Sequence, residues 1–193
     1  MTVFEGALHE TKALGQKHAQ NVDGLGRRHL IGLDRTELAQ ILRGLGEPER
    51  NLRMRANQLW HWIYHRGATD FEAMTTISKD FRQALSKHCT LDRGKVESER
   101  KSVDGTQKWL VRNNDAALIE SVHIPEKDRG TLCVSSQVGC TLNCRFCHTG
   151  TQAWVRNLGA REIVSQIMIA RDRLSEWPSP AQGRQISNIV MMG

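Results

Sequence analysis

The sequence lacks any long apolar segment. No stretch approaches the roughly 18 consecutive apolar residues that a membrane-spanning helix requires. Residues 1–15, which include Glu5 and Glu10, also lack the apolar core of a secretory signal peptide. We therefore predict a cytoplasmic protein with no membrane partner.

Cysteine is scarce, and internal repeats of the length found in solenoid proteins are missing. Only five of the 193 residues are cysteine, yet three of the five lie close together near residue 144. In a reducing cytoplasm such a group is more typical of metal ligands or free thiols than of disulfide bonds.

The charge of the chain is unbalanced. Lys and Arg number 27 against 21 Asp and Glu, which gives a net charge of +6. This excess suits an anionic partner such as RNA, although a solvated basic surface without any partner would give the same balance. The apolar content of 39% is enough for a modest hydrophobic core.

The spacing of apolar residues predicts a mixed α/β fold with four regions. In order, they are a flexible tail, a helical N-terminal domain, an antiparallel β-hairpin region and a βαβ unit, at residues 1–28, 29–92, 93–128 and 129–193. Because a lone βαβ unit leaves one sheet face and one strand edge bare, we expect this chain to be part of a longer protein.

Cap and turn residues mark the elements within these regions. Asp34 and Glu37 match a capping box for the first helix, a second helix is expected from about Arg53 to the C-cap Gly67, and Ser78 is an N-cap candidate for the third. Strands are predicted on both sides of a tight Asp104-Gly105 turn, and then at residues 117–124, 131–135 and 186–192, with a helix at 161–174.

One loop carries a distinctive cysteine pattern, Cys140-Thr-Leu-Asn-Cys144-Arg-Phe-Cys147. Three thiolates on a short loop can ligate three irons of a cubic 4Fe-4S cluster, and the lack of a fourth thiolate close by leaves one iron open for a substrate. Two other interpretations remain. A zinc site would need His148 or Cys133 as its fourth ligand. A haem-attachment motif would use Cys144, Cys147 and His148, but it leaves Cys140 unused and normally follows export.

The Cys-x3-Cys-x-aromatic-Cys pattern resembles the signature of the radical S-adenosylmethionine superfamily. Four separated segments are similar to those of RlmN-type adenine C2 methyltransferases, namely QLWHWIYHRG (58–67), DGTQKW (104–109), IPEKDRGTLCVSSQVGC (124–140) and NIVMMG (188–193). The similarity extends from about Leu30 to the last residue. It implies that residues 129–193 begin a partial TIM-type barrel.

The resemblance also implies roles for single residues. The cluster ligands would be Cys140, Cys144 and Cys147. Phe146 would pack near the adenosine of S-adenosylmethionine, Cys133 would resolve a covalent protein–RNA adduct, and Glu120 would accept a proton.

What the resemblance implies for the whole protein is radical methylation of carbon 2 of adenine in 23S rRNA and tRNA. The implied cofactors are a 4Fe-4S cluster and S-adenosylmethionine, with flavodoxin or ferredoxin as electron donor and a monomer as the full-length state. In that chemistry a distant cysteine carries the methyl group, and a disulfide is left for reductants to open. Because that cysteine lies beyond this sequence, we expect the chain alone to be inactive.

Alternatives remain within and outside this class. Sister enzymes that methylate carbon 8 of adenine share the cysteine loop, and an RNA-binding module without catalysis is a further hypothesis. Arginines with nearby aromatics suit phosphate and base-stacking contacts, and the candidates are Arg50, Arg53, Arg55, Trp60, Trp62 and Tyr64. Packing in the core is the competing interpretation for the aromatic residues.

Overall fold

The computed structural model describes residues 22–127, 129–142, 144–145 and 147–192. The predicted tail therefore lies outside the described residues up to position 21. Regular structure begins earlier than the predicted start near Leu30. The Asp23 side chain accepts hydrogen bonds from the amides of Leu25 and Arg27, and strand β1 (Arg28–His29) follows directly. An aspartate that binds nearby amides in this way stabilises a local turn.

The next region is mainly helical. Its elements are α1 (Arg35–Gly44), α2 (Glu49–Trp60), a π-helical turn (His61–His65), α3 (Lys79–His88) and β2 (Cys89–Thr90). Strand β2 pairs in parallel with β1, which ties the two ends of the region together.

Helices α1, α2 and α3 begin in different ways, and only α1 of the three has a side-chain cap. The Asp34 and Glu37 side chains each accept a hydrogen bond from the other's backbone amide at 2.8 Å, so the predicted capping box is confirmed. Helix α2 begins before the predicted Arg53, because Pro48 fixes the backbone ahead of its first turn and Glu49 brings negative charge to that turn. Ser78 occupies the N-cap of α3, but its side chain makes no capping hydrogen bond.

The second half of the chain forms a five-stranded sheet with the order β3-β4-β5-β6-β9. Its strands are β3 (Lys95–Lys101), β4 (Gln107–Arg112), β5 (Leu118–Pro125), β6 (Gly130–Ser135) and β9 (Asn188–Met192). The short strands β7 (Gln137–Val138) and β8 (Arg156–Asn157) pair with each other in a separate sheet. Neighbours are antiparallel except β6 and β9, which are parallel and joined through helix α4 (Ala160–Arg173). The sheet thus continues across residue 128, where the sequence suggested a region boundary, and the division into regions stays a prediction.

The β3-β4 hairpin departs from the expected tight turn. The Ser102 amide donates to the Thr106 carbonyl, and only Gly105 has a positive φ, of 86°. A turn closed by a single left-handed glycine is typical of a longer hairpin loop with a bulge. The Asp104 side chain accepts from the Thr106 amide at 3.0 Å and stabilises it.

Two hydrophobic cores each include residues of α4. The first is formed by the helical region, and Met168 of α4 packs into it. The second lies between α4 and one face of the sheet and includes Ile169 and Ala170 of the same helix. Helix α4 is therefore the layer that joins the helical region to the sheet. Among the described residues, no helix has the length and apolarity needed to cross a membrane.

Candidate functional site

The cysteine loop begins after the end of β6, where a buried glutamine binds the backbone of the last strand residue. The Ser135 amide donates to Gln166 Oε1, and Gln166 Nε2 donates to the Ser135 carbonyl, both at 2.9 Å. Gln166 belongs to α4 and is fully buried. Because one amide side chain satisfies both backbone groups, the strand end is fixed to the helix just before the loop begins.

The base of the loop is closed by backbone contacts. Short strands β7 (Gln137–Val138) and β8 (Arg156–Asn157) pair antiparallel on either side of it, and the Cys140 amide donates to the Gln152 carbonyl at 3.3 Å. Gly139 has a φ of 76°, and a Cβ atom there would overlap the Ala153 carbonyl. Only glycine tolerates both the backbone conformation and the close approach.

The three thiols of the loop are free, as are Cys89 and Cys133. Cys140 is buried, whereas Cys144 and Cys147 are half-buried. Hydrogen bonds from the backbone amides of Gly150 and then Thr149 lower the pKa of Cys147 below its ordinary value. A thiolate is the form that binds metal, so this local field favours ligation.

The donor set suits an iron–sulfur cluster by its chemistry: three soft thiols on one loop, one of them biased toward the thiolate. In the part of the chain that the structure describes, however, no three His, Cys, Asp or Glu side chains lie together as a metal site. The assignment of Cys140, Cys144 and Cys147 as cluster ligands therefore stays a prediction. Phe146, the expected neighbour of the adenosine, lies outside the described residues.

The open face of the sheet brings the other two predicted residues together. Cys133 of β6 is the cross-strand partner of Val122, which lies two residues from Glu120 on β5. Because side chains alternate between faces along a strand, Glu120, Val122 and Cys133 share one face. That face is opposite the core, where Leu132 and Val134 are fully buried. Cys133 itself is half-buried.

Glu120 has a partner that the sequence did not reveal. Its Oε2 atom lies 2.8 Å from Lys108 Nζ on β4, and its side chain is 43% exposed. The ion pair orients the carboxylate on the open face while leaving it accessible. The alternation of side chains along the strand predicted after Gly105 would have been the only sequence signal for Lys108.

A groove beside the π-helical turn contains two of the three arginine candidates, together with Trp62. It has a volume of about 680 Å³, and its lining residues include Arg50, Arg53, Trp62 and Arg66. His61 also lines it and stacks on His65, with ring centroids 4.6 Å apart. Partial burial, followed by the charges of His65 and Arg66, lowers the pKa of His61. Arg66 and His61 were not among the sequence candidates. Arg66 lies four residues after Trp62, and this helical spacing was the available signal for Arg66; His61, directly before Trp62, had no such signal.

The remaining aromatic candidates, Trp60 and Tyr64, pack against the core, as the competing interpretation held, and Arg55 makes side-chain contacts within the helical region. Arg55 lies 3.4 Å from Glu47 and donates to Gln58. The Tyr64 hydroxyl accepts from the Gly32 amide at 2.9 Å, and burial raises its pKa to about 12. Trp60 packs against the Tyr64 ring and under the Arg35 guanidinium. These contacts engage Arg55, Trp60 and Tyr64 within the helical region, and their contact with RNA stays a prediction.

Comparison with known proteins places these features in a family. Residues 28–91 match the ribosomal RNA large subunit methyltransferase N-terminal domain. The chain is 58% identical over 166 residues to a dual-specificity RNA methyltransferase RlmN of Rhodospirillum rubrum, covering 86% of this chain and 38% of that protein. The RlmN of Bradyrhizobium sp. (strain ORS 278) is 59% identical over 173 residues, covering 85% and 43%.

A solved structure agrees with the sequence relatives. The crystal structure of a radical SAM methyltransferase from Sphaerobacter thermophilus superposes with a TM-score of 0.71 at 39% identity, covering 89% of this chain and 46% of that chain. The predicted resemblance is confirmed. The chain spans about two fifths of the length of the curated relatives it matches.

Proposed function

Since this chain belongs to the RlmN family of RNA methyltransferases, we propose that it supplies the cysteine loop and an RNA-binding surface of an enzyme that methylates carbon 2 of adenine in 23S rRNA and tRNA. The observation that carries the proposal is the Cys-x3-Cys-x2-Cys loop, which follows the C-terminal end of β6, the first strand of the parallel pair. Proteins with parallel strands place their ligands at these strand ends.

Cys140, Cys144 and Cys147 would hold a 4Fe-4S cluster on this loop. With S-adenosylmethionine, such a cluster supplies radical chemistry that ordinary side chains cannot perform. The chain's own part is to present three thiols from a loop whose base is fixed by Gly139 and whose entrance is fixed by Gln166. Phe146 is proposed to pack near the adenosine of S-adenosylmethionine. The whole protein is proposed to be a monomer that receives electrons from a donor such as flavodoxin or ferredoxin.

Glu120 and Cys133 are proposed to act on the RNA from the open sheet face. Glu120 would accept a proton from the modified adenine, and the Cys133 thiolate would release the RNA from the protein. Both roles need a base that lies across the strands β5 and β6, because a proton acceptor has to come within hydrogen-bond distance of the proton it removes. The ion pair with Lys108 keeps the Glu120 carboxylate pointing along this face.

Replacement of Glu120 by Gln tests that role in the full-length enzyme. The amide is nearly isosteric but cannot accept the proton, so we expect methylation to fall by a factor of about 10² to 10⁴ with unchanged RNA affinity. Glu126→Gln, which removes an exposed carboxylate paired with Arg129, is the matched control. Similar rates for the two variants would exclude Glu120 as the proton acceptor.

The groove beside the π-helical turn is proposed to bind the RNA backbone. It combines Arg50, Arg53 and Arg66 with the ring of Trp62, a set suited to phosphate and base contacts. Replacing Arg53 by Ala should weaken RNA binding by roughly threefold to tenfold and reduce the salt dependence by about one phosphate contact. Arg43→Ala, whose guanidinium pairs with Glu49 on α2 outside the groove, should leave both unchanged.

Two measurements decide the main proposal. Anaerobic reconstitution with iron and sulfide should give a brown cluster that is lost in Cys140→Ala and retained in Cys89→Ala, since Cys89 is buried away from the loop. Stoichiometric zinc or a covalent haem band would support the competing metal interpretations instead. Mass spectrometry of RNA modified by the full-length enzyme should then locate the methyl group on carbon 2. A methyl group on carbon 8 would assign the protein to the sister enzymes.

A further inference from the structure

The π-helical turn beside the groove is held from its other side by α4 and by the connection that follows this helix. The carbonyls at a helix end have no partners within the helix and need donors from elsewhere. Here the His65 carbonyl accepts from the Ser179 amide at 2.8 Å. The Tyr64 carbonyl receives longer contacts, at 3.5 Å, from Arg171 Nη1 and Ser179 Oγ. These donors lie on α4 and on the connection that follows it.

Arg93 forms a second anchor just beyond the turn. Its Nη2 atom donates to the carbonyls of Gly67 and Ala68, at 2.8 and 3.1 Å. Its Nη1 atom pairs with Asp172 near the end of α4. Arg93 is only 7% exposed, so these charged hydrogen bonds are largely shielded from solvent.

Trp177 links the two anchors. Its ring lies 3.6 Å from the Arg171 guanidinium carbon, and its Nε1 atom donates to Asp172 at 2.7 Å. The same ring covers Gly67, where a Cβ atom would overlap it. The left-handed φ of 68° at Gly67 ends the turn and allows this close approach.

The opposite part of α4 holds the cysteine loop. Gln166 fixes the end of β6, and Glu162 receives two hydrogen bonds from Arg156 at the loop's return strand, at 2.9 and 2.7 Å. The 14 residues of α4 make a rod about 21 Å long. Because the helix packs into both hydrophobic cores, it has little freedom to rotate between them.

We propose that α4, together with Arg93 and Trp177, is a positioning element that fixes the RNA groove relative to the cysteine loop. His61, Trp62 and Arg66 line the groove on one side of the turn, while the Tyr64 and His65 carbonyls are bound on the other. A loosened anchor would let the turn change its conformation and disperse the groove side chains. The inference rests on the proposed RNA binding at this groove. The anchoring residues act by holding the groove in place and do not touch RNA; they are Arg93, Arg171 and Trp177.

Substitution of Arg171 by Ala tests the anchor. The change removes the cation over Trp177 and the contact with the Tyr64 carbonyl, so we expect RNA affinity to fall roughly fivefold. Amide hydrogen exchange at residues 64–68 should become faster. Arg173→Ala is the matched control, because Arg173 lies on the same helix turn but faces Glu99 on β3. The readouts are fluorescence anisotropy with a labelled RNA stem-loop and exchange measured by mass spectrometry.

Further variants separate positioning from general destabilisation. Trp177→Phe keeps an aromatic ring but loses the donor to Asp172, and it should give an intermediate loss with native circular dichroism. Arg66→Ala combined with Arg171→Ala should weaken RNA binding by less than the product of the two single losses, because Arg66 is one of the groove side chains that the anchored turn places.

The outcomes distinguish this inference from the proposed function. If Arg53→Ala leaves RNA affinity unchanged, the groove itself is refuted. If Arg53→Ala weakens binding but Arg171→Ala and Arg173→Ala behave alike in affinity and amide exchange, the positioning element is refuted while the groove stands. Fully additive losses in the double variant would also overturn the positioning role.

Discussion

Gln166 offers the sharpest test of how the cysteine loop is held. Replacing it by Leu keeps the approximate volume but leaves the Ser135 amide and carbonyl without their side-chain partners. Each unpaired buried group costs about 1–3 kcal/mol, and some of this is offset by the added apolar contact, so we expect a loss of about 3 kcal/mol in the free energy of unfolding. For a chain of this size that corresponds to a decrease in Tm of about 6–12 °C.

Urea unfolding followed by circular dichroism would measure this loss, and amide exchange at residues 135–138 would localise it. Gln83→Leu on α3 is the control, since Gln83 is exposed and the change in helix propensity is the same. The reasoning fails if Gln166→Leu costs less than about 1 kcal/mol relative to this control, because two buried backbone groups cannot lose their partners so cheaply.

Three further outcomes follow from the electrostatics and backbone of the described residues. Burial and then the charge of Arg161 lower the pKa of His29 from 6.5 to about 4. Protonation of His29 therefore favours the unfolded chain, and the free energy of unfolding should fall as the pH drops from about 6.5 to 4. Urea melts at a series of pH values should show a weaker dependence of this free energy on pH in His29→Gln. Iodoacetamide at pH 8 should modify Cys147 before Cys89, because the pKa of Cys147 is lowered and burial raises the pKa of Cys89 to about 11. Peptide mapping would measure the two rates of modification, and equal rates would contradict this prediction. Gly139→Ala should lower Tm more than Gly183→Ala, because both positions have a positive φ but only the first Cβ would meet a neighbouring carbonyl; equal shifts in calorimetry would argue against the clash.

Features that depend on a few consecutive residues could be predicted from the sequence. The capping box of Asp34 and Glu37, the C-terminal glycine at Gly67 and the strands beside Gly105 all involve hydrogen bonds or dihedral preferences within a short segment. The spacing of the three loop cysteines is of the same kind. Where the local signal was incomplete, a predicted helix end differs from the observed one by a few residues. Helix α2, for example, was predicted to begin near Arg53 and begins at Glu49.

The residues that form the candidate functional surfaces could not be identified from the sequence, because their roles depend on which side chains contact one another in the folded chain. Arg53 and Arg55 are two residues apart on α2, yet one lines the groove and the other is paired with Glu47, because helix rotation points them in different directions. Likewise Trp60, Trp62 and Tyr64 all pack against the helical core, but of the three only Trp62 also lines the groove. Composition alone could not separate these roles.

The sequence by itself therefore determined the helices, the hairpin and the cysteine spacing, since each arises from contacts between near neighbours in the chain. Only the tertiary structure decided that Glu120 meets Lys108 and shares a face with Cys133, and that Gln166 binds the strand end 31 residues before it. Such contacts form because the two cores fix α4 between the sheet and the helical region, and the energy that selects them is spread over the whole packed chain.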